Sequence, residues 1–457
     1  MTLHTFDRRV GLVLVGLALL LGLVVLLGSQ AGLPAPHLAG QNGNQPVVIS
    51  SRGPLTLTFG EPVQPESVEP RLTLDSAITG RFTWNQDGRS VTFWPVQPLL
   101  PNQKYTLQLA PGVVGQSGRS LRRALTWQVQ VRSPAVVYLA DSLAPEIWLA
   151  GIDGEHPRQL TSTGGKVFDF NAAPDGGRVV YSAQNGQQGI DLWEVDRQGG
   201  QPRLLLPCQA DWCVNPAFSP DGAKIAYSRR WASLSDGAPP GVPRIWTLDV
   251  AAGTTSALYD DPNVGGYEPV WAPDGRHLAF FDGLSLGVRV LNIQGGTDFM
   301  LDSDSGMVGE WSPDSRQLIY IDHETTDTGL YVVVYVVDVQ TQQVRRVLGE
   351  DQGPMDYSVP TWSPDGEWVT VSVRLLNGSP SKQIWRMRLD GSQREEITDD
   401  QLYTHAACRW DPAGQALVYQ RLALGASAAR PEVVVRNQAG GKILLLVEDA
   451  SQPRWIP

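Results

Sequence analysis

The chain has 457 residues and a net charge of −11, with 36 Lys and Arg against 47 Asp and Glu. This balance argues against nucleic-acid binding and against docking on an anionic bilayer surface, since both need basic side chains. The length allows two or three domains, and 47 Gly and 15 Trp are typical of an all-β protein with many turns.

The N-terminal region contains one long apolar segment. Residues 1–9 include two arginines, and residues 10–28 carry no charge. At about 1.5 Å per residue, this run approaches the thickness of a hydrocarbon core. It predicts a single-pass signal anchor, with residues 1–9 cytoplasmic and the bulk of the chain exported; a cleaved signal peptide and a secreted protein are the alternative. Residues 29–45, rich in Gly, Pro, Gln and Asn, predict a flexible tether.

Residues 46–133 contain short strands without the repeat found further on. Leu55–Phe59 alternates apolar and polar residues, and residues 82–84 and 91–94 flank the turn Gln86-Asp87-Gly88 as a hairpin. Short strands at this spacing, in about 90 residues, predict an immunoglobulin-like β-sandwich.

The same segment resembles the SbsA-type bacterial Ig-like domain. The residues that carry the resemblance are Phe93, Pro95, Leu99, Pro101 and Tyr105, with Leu57-Thr58-Phe59 before them and the Gly118 turn after them. The resemblance implies a bacterial source and a spacer role on a bacterial surface.

Residues 134–457 repeat the motif W-S-P-D-G with variations. Its prolines stand at positions 174, 220, 273, 313, 364 and 412, which are 40 to 53 residues apart. A period of this size, built from short strands and tight turns, indicates a β-propeller. Because Pro fixes φ, Asp caps the turn and Gly supplies positive φ, we interpret the repeated Asp as a turn residue rather than a catalytic acid.

Each repeat predicts four strands, and the first repeat lacks its first strand. The missing strand is supplied by Pro453-Arg454-Trp455 at the end of the chain. The sequence therefore predicts a seven-bladed propeller closed by the C-terminal strand, which removes free strand edges.

These repeats resemble the TolB-like propeller, a WD40-like family named for its Pro-Asp repeat. The resemblance covers residues 134–457 and implies the fold. Function is left open by it, because the family includes binding modules, enzyme side-domains and a few lyases. TolB itself looks six-bladed, so seven blades depart from it.

Few residues suggest chemistry. Cys208 and Cys213 flank a short loop and predict a disulfide in an exported protein, whereas Cys408 is expected to be a small buried residue. No catalytic residue is predicted, and the chain has no P-loop. His323 and His405 are placed in loops that could share a face. We predict no cofactor, and a divalent cation stays open.

The predicted binding face is formed by the loops between second and third strands and between blades. It carries the insertion at residues 229–243 and the disulfide loop. Trp212 and Trp231 lie in these loops and are candidate anchors for a partner, and the alternative is that they are buried against the blade. It also carries repeated acidic pairs, which are either solvated loop ends or a negative ring for a cationic partner or an ion. The pairs are Asp260 and Asp261, Asp302 and Asp304, Glu350 and Asp351, Asp399 and Asp400, and Glu448 and Asp449.

Three functional hypotheses follow. The first is a non-enzymatic, membrane-anchored binding or scaffold protein of a bacterial envelope, whose propeller face meets a protein or glycan. The second is a carbohydrate-active, lyase-like propeller enzyme, and the third is a purely structural envelope component. An enzyme needs convergent acid, base or metal groups, whereas a binder needs only a shaped, partly apolar face.

Overall fold

The computed structural model describes residues 32–43, 45–75, 78–154, 157–233, 239–327, 329–347, 355–375, 378–426, 428–438 and 440–457. The chain divides into two units between Arg132 and Ser133. Within the described ranges no helix is long and apolar enough to cross a bilayer. The predicted anchor at residues 10–28 lies outside those ranges.

The first unit is a sandwich of two four-stranded sheets. One sheet has the order β1-β3-β6-β5 and the other β2-β8-β7-β4. A four-residue helix, α1 (Pro65–Val68), and a 3-10 turn (Glu69–Arg71) join β3 to β4. The strands are β1 (His37–Leu38), β2 (Val47–Ile49), β3 (Leu55–Thr58), β4 (Leu72–Leu74), β5 (Gly80–Trp84), β6 (Ser90–Pro95), β7 (Lys104–Leu109) and β8 (Leu125–Val131).

Alternation along the strands builds the core of this unit. In β8, Trp127, Val129 and Val131 are buried while the residues between them face outward. The predicted hairpin is present, with Phe82 opposite Phe93 in β5 and β6.

The prediction of a flexible tether over residues 29–45 is wrong for the part that the structure describes. His37 and Leu38 form β1 and pair with β3, and the amide of Leu33 donates to the carbonyl of Ser120. Leu33 and Leu38 are buried in the sandwich core. The segment is ordered in spite of its polar composition, because each buried leucine stabilises the fold by about 1.5–3 kcal/mol.

The second unit is a β-propeller of seven strand groups in the described residues. We number these blades 1 to 7 and describe each from its innermost, first strand outward. Blade 1 contains β9 (Ala135–Ala140), β10 (Glu146–Gly151) and β11 (Arg158–Gln159). Blade 2 contains β12 (Val167–Ala172), β13 (Arg178–Gln184), β14 (Ile190–Asp196) and β15 (Arg203–Leu206). Blade 3 contains β16 (Trp212–Phe218), β17 (Lys224–Arg230), β18 (Arg244–Asp249) and β19 (Thr255–Ala257).

The remaining blades have the same order. Blade 4 contains β20 (Tyr267–Trp271), β21 (His277–Asp282), β22 (Gly287–Asn292) and β23 (Thr297–Asp302). Blade 5 contains β24 (Glu310–Trp311), β25 (Gln317–Thr326), β26 (Gly329–Asp338) and β27 (Val344–Arg346). Blade 6 contains β28 (Met355–Tyr357) and β29 (Thr361–Trp362), then β30 (Val369–Leu375), β31 (Gln383–Met387) and β32 (Glu395–Glu396). Blade 7 contains β33 (Tyr403–Trp410), β34 (Ala416–Ala423), β35 (Glu432–Asn437) and β36 (Ile443–Glu448).

The last strand, β37 (Ala450–Ile456), pairs antiparallel with β9 and so takes the first position of blade 1. Trp455 lies opposite Val136, and Ile456 lies opposite Ala135. Arg197 of blade 2 donates to the carbonyls of Ile456 and Pro457. The strand is therefore held by two blades.

The hydrophobic core of this unit lies between blades. Each of seven buried clusters joins two blades that are adjacent along the ring. One of them packs Val418 and Val433 of blade 7 against Tyr138 and Trp455 of blade 1. Stacked sheets bury both faces in this way, whereas the two ends of the ring and its outer fourth strands stay open to solvent.

A repeated hydrogen bond also joins neighbouring blades. The tryptophan that opens the W-S-P-D-G motif donates its indole N–H to a backbone carbonyl of the preceding blade. The acceptor is the residue just before the aromatic residue that opens the motif of that preceding blade. The bonds are Trp271 to Ala217 (3.1 Å), Trp311 to Val270 (3.0 Å), Trp362 to Glu310 (3.3 Å) and Trp455 to Arg409 (3.0 Å). Trp410 instead donates to the hydroxyl of Thr370.

Removal of residues 451–457 is expected to destabilise the second unit strongly. Trp455 and Ile456 are buried, and loss of a large buried side chain costs about 2–5 kcal/mol. The melting temperature should fall by at least about 5 °C. Differential scanning calorimetry provides the measurement.

Two controls accompany this truncation. Gln452 is exposed with φ of 51°, which Asn tolerates, so Gln452→Asn should leave the melting temperature unchanged. A synthetic peptide of residues 448–457 should partly restore the truncated protein. An unchanged melting temperature after truncation would show that β37 adds nothing.

Candidate functional site

The antiparallel order of each blade gives the propeller two chemically different ends. We call the end formed by second-to-third connections and blade-to-blade connections the loop face. The opposite end, formed by the P-D-G turns and the third-to-fourth turns, is the turn face.

On the turn face, the repeated aspartates hold their own turns. Asp221 accepts bonds from the hydroxyl of Ser219 and the amide of Ala223. Asp365 does the same with Ser363 and Glu367. A carboxylate that is occupied in this way is a turn residue.

The loop face carries the exposed apolar side chains of the propeller. Among the described residues of the propeller, fourteen large hydrophobic side chains are exposed: ten lie on or beside loop-face connections, and four lie on fourth strands. Every blade contributes at least one residue to the ten. They are Leu143, Phe168, Trp212, Val242, Leu284, Leu286, Met307, Leu330, Leu375 and Leu402. We call this set the apolar ring.

The acidic pairs on the loop face each divide into two roles. In every described pair, one member is bonded within the protein and the other is exposed. The bonded members are Asp261, Asp304, Asp400 and Asp449, whose partners are Asn263, His323, Leu402 and Arg430. The exposed members are Asp260, Asp302, Asp399 and Glu448. Glu350 and Asp351 lie outside the described residues.

The two candidate tryptophans lie on the loop face in different surroundings. Trp212 is 40 % exposed, and its ring centroid is 6.5 Å from that of Phe168. The guanidinium of Arg230 lies 5.4 Å from the Trp212 ring. Trp231 is half-buried, with its centroid 6.1 Å from that of Trp246. Trp212 therefore offers an accessible aromatic surface, whereas Trp231 mainly packs on its blade.

Cys208 and Cys213 form a disulfide that fixes the connection between blades 2 and 3. The loop it closes positions Asp211, whose carboxylate binds the guanidinium of Arg229 at 2.8 Å. Cys408 is buried, and burial raises the pKa of its thiol to about 12. Its role is packing.

The prediction that His323 and His405 fall in loops sharing a face is wrong. Both lie in strands, β25 of blade 5 and β33 of blade 7. His405 is buried, with Nδ1 2.9 Å from the carbonyl of Lys382, and burial lowers the pKa of its imidazole. A buried neutral histidine suits the interior of a blade.

Sequence reasoning missed a cluster of charges on the first strands, which line the axis of a propeller. Five blades each contribute one member: Asp169, Glu268, Glu310, Arg409 and Arg454. We call these five residues the central cluster. The signal was present in the sequence, since each residue lies one or three positions before the motif's aromatic position.

The members of the central cluster differ in how well they are partnered. Asp169 accepts bonds from the hydroxyl of Ser182 and the amide of Asn215. Glu310 accepts bonds from Thr361 and lies 3.8 Å from the guanidinium of Arg409. The Nε of Arg454 is buried without a hydrogen-bond partner among the described residues.

Burial shifts the acid–base behaviour of this cluster. It raises the pKa of Asp169 to about 6 and also raises the pKa of Glu268 and Glu310. Burial, together with the neighbouring charge of Arg409, lowers the pKa of Arg454 to about 10. Glu268 nevertheless keeps accessible surface. A raised pKa and an accessible surface occur together for a side chain that lines a narrow axial channel. Such a side chain faces enclosed space and lies far from bulk solvent.

Comparison with protein families supports the first unit. Residues 41–130 match the family of bacterial Ig-like domains. The first unit is a bacterial Ig-like domain. Because the match is to bacterial Ig-like domains in general, the narrower SbsA-type resemblance stays a prediction.

The second unit is similar to solved β-propeller proteins. TolB from Acinetobacter baumannii is 18% identical, with a TM-score of 0.42, over 71% of this chain and 83% of its own. An oligogalacturonate lyase in complex with manganese is 15% identical, with a TM-score of 0.40, over 62% of this chain and 73% of its own. These likenesses concern the fold alone.

Two relatives match parts of the sequence. The uncharacterized peptidase YuxL of Bacillus subtilis (strain 168) is 22% identical over 199 residues, which are 35% of this chain and 29% of that protein. The uncharacterized protein Atu1656 of Agrobacterium fabrum (strain C58 / ATCC 33970) is 31% identical over 137 residues, which are 28% of this chain and 42% of that protein. The chain thus spans less than half the length of either relative.

The raised pKa of Asp169 predicts a pH-dependent stability. An acid whose folded pKa is about 6, against an ordinary value of 3.8, favours the fold below pH 4 and loses that contribution as the pH rises to about 6. The unfolding free energy of the wild type relative to Asp169→Asn should therefore fall by about 2 kcal/mol between pH 4 and pH 7. Urea denaturation across this range measures the difference.

Asn171→Ser is the matched control, because it alters the same strand without a titratable group. The difference between this variant and the wild type should not vary with pH. A flat profile for Asp169→Asn would contradict the raised pKa.

Proposed function

We propose that this protein is a non-enzymatic binding or scaffold protein of a bacterial envelope, and that the loop face of its propeller docks a protein partner. The proposal includes a closed ring of seven blades in solution. The observation that carries it is the apolar ring, which brings exposed apolar side chains from all seven blades to one end of the propeller.

Apolar exposure on one face supports docking. Single exposed apolar residues are ordinary, but a collection on one side of a rigid scaffold is typical of an interaction surface. Leu143 is 85 % exposed and Leu402 is 72 % exposed, so each has most of its surface left to bury. Burial of apolar surface contributes about 25 cal/mol per Å².

Charge on the same face favours a cationic partner. Of the exposed members of the acidic pairs, Asp260 and Asp399 lie on blade-to-blade connections, and Asp302 and Glu448 end the fourth strands that lead into such connections. Rim charges of this kind mainly raise the association rate and select the partner. An apolar surface with an acidic rim therefore fits a protein with a basic, partly apolar face.

A glycan partner is favoured by one observation, the pairing of Phe168, Trp212 and Arg230. Aromatic rings beside a guanidinium offer a flat surface that a sugar ring can cover. Saturable glycan binding that is lost in Trp212→Ala, without protein binding, would select this alternative.

A lyase-like enzyme is the second candidate, and the central cluster is the observation in its favour. Two carboxyls with raised pKa, those of Asp169 and Glu268, lie close enough to the Arg454 guanidinium to interact electrostatically. Groups of this kind can transfer protons near neutral pH. Incubation with oligogalacturonate, followed by the ultraviolet absorbance of unsaturated products, distinguishes this candidate from a binder.

Loss of apolar surface on the loop face is expected to weaken partner binding. The double variant Leu286→Ser/Leu402→Ser removes two side chains that are 61 % and 72 % exposed, so folding should be unaffected. Affinity for a partner isolated with the wild-type ectodomain from solubilised membranes should fall at least about tenfold. Titration calorimetry measures the affinity.

The matched control is Leu204→Ser/Leu446→Ser on fourth strands, where the side chains are 41 % and 46 % exposed. This control should bind like the wild type. Charge reversal at Asp302 and Asp399 should weaken binding more at low salt than at high salt, whereas reversal at Asp221 and Asp365 on the turn face should not. Loss of binding only in the control variants would place the docking surface elsewhere.

Membrane anchoring is part of the proposal and rests on the apolar run at residues 10–28. In cells with a permeable outer layer, added protease is expected to digest the propeller and leave a short N-terminal fragment in the membrane. Immunoblotting with antibodies to each unit gives the answer. A protected propeller, or a mature N-terminus near Gly32, would contradict the anchor.

A further inference from the structure

A group of potential metal ligands lies on the loop face where blade 4 joins blade 5. It consists of Asp304, Asp322 and His323, and one ligand atom from each lies within 4.8 Å of the others. Asp304 belongs to the connection between β23 and β24, and the other two belong to β25. The predicted acidic pair at Asp302 and Asp304 contributes only its second member.

The topology of blade 5 explains how three such residues converge. β24 has two residues and pairs only with Leu318 and Ile319, so the inner edge of β25 beyond them is open to the preceding loop. The loop meets that edge, and the amide of Asp304 donates to the carboxylate of Asp322 at 3.0 Å. Neighbours on a strand point to opposite faces, and a loop that crosses its edge can reach both.

The carboxylates and the ring are already oriented toward one another. Nδ1 of His323 lies 2.6 Å from a carboxylate oxygen of Asp304. The buried hydroxyl of Ser303 donates to the carboxylate of Asp322 at 3.2 Å and fixes its position from behind.

We propose that Asp304, Asp322 and His323 bind a divalent transition-metal ion such as Mn²⁺ or Zn²⁺. Two carboxylates and one imidazole suit these ions, whereas Ca²⁺ prefers oxygen ligands alone. Three protein ligands leave coordination positions open for water or for a donor from a docked partner. The ion joins the blade-to-blade loop to β25 and neutralises the two carboxylates that hold it.

The experiment uses the purified protein. It is stripped of metal with a chelator and titrated with MnCl₂, ZnCl₂ and CaCl₂ in separate calorimetric runs. The wild type should bind one Mn²⁺ or Zn²⁺ per chain and bind Ca²⁺ at least about tenfold more weakly. Loss of residues that merely orient metal ligands costs about 10- to 100-fold in affinity. Asp304→Asn and His323→Gln should therefore each weaken binding at least about tenfold.

Folding is not at issue for Asp304→Asn, since this side chain is 68 % exposed. Asp399→Asn, at an exposed aspartate on another connection, is the control and should bind like the wild type. Electron-spin-echo spectra of the Mn²⁺ form should show coupling to a nitrogen nucleus, which His323→Gln removes.

Three results would overturn the proposal: no saturable binding at millimolar metal, equal binding by the wild type and both ligand variants, or equal loss in the Asp399 control. Because the assay contains no partner, its outcome is independent of the proposed protein docking.

Discussion

The bond from a motif tryptophan to the carbonyl of the previous blade is the contact on which the propeller most depends. A blade is a small twisted sheet that cannot bury its faces alone, so its stability comes from its neighbours. The indole fills the space between first strands, and its N–H satisfies a backbone carbonyl of the neighbouring first strand. Packing and polar satisfaction are thus provided by one side chain, and Trp455 extends the same bond to the closing strand.

β-Bulges in the first strands also recur from blade to blade. In five blades the register shifts within the first strand, and in four of these a residue there has positive φ. The residues are Asn215, Glu268, Ala407 and Gln452. A bulge turns the strand and redirects side chains beside it, which is how Glu268 faces the axis from a strand that otherwise packs between blades.

Much of the fold followed from the sequence because its signals are local. Pro, Asp and Gly specify the turn by their own backbone preferences, and the spacing of the motif follows from the length of four short strands. The apolar ring and the central cluster did not follow, since each assembles residues that are far apart in sequence. Leu143 and Leu402 look like ordinary loop leucines until the ring brings their loops to one face. Leu33 and Leu38 show the converse, because composition suggested a tether and two buried side chains decided otherwise.

The central cluster connects five first strands through their charges. Its three carboxylates and two guanidiniums come from five different first strands, so none gains its oppositely charged neighbours until those strands are in place. Arg454 is the member that interacts with all four others, and it is carried by the strand that arrives last along the chain. Desolvation of these charges costs free energy, and apolar residues in their place would pack at least as well. The charges instead favour one strand in this position over others. A strand without Arg454 here would leave Asp169, Glu268 and Glu310 facing one another across the axis. Arg409 would then be the one remaining cation of the cluster.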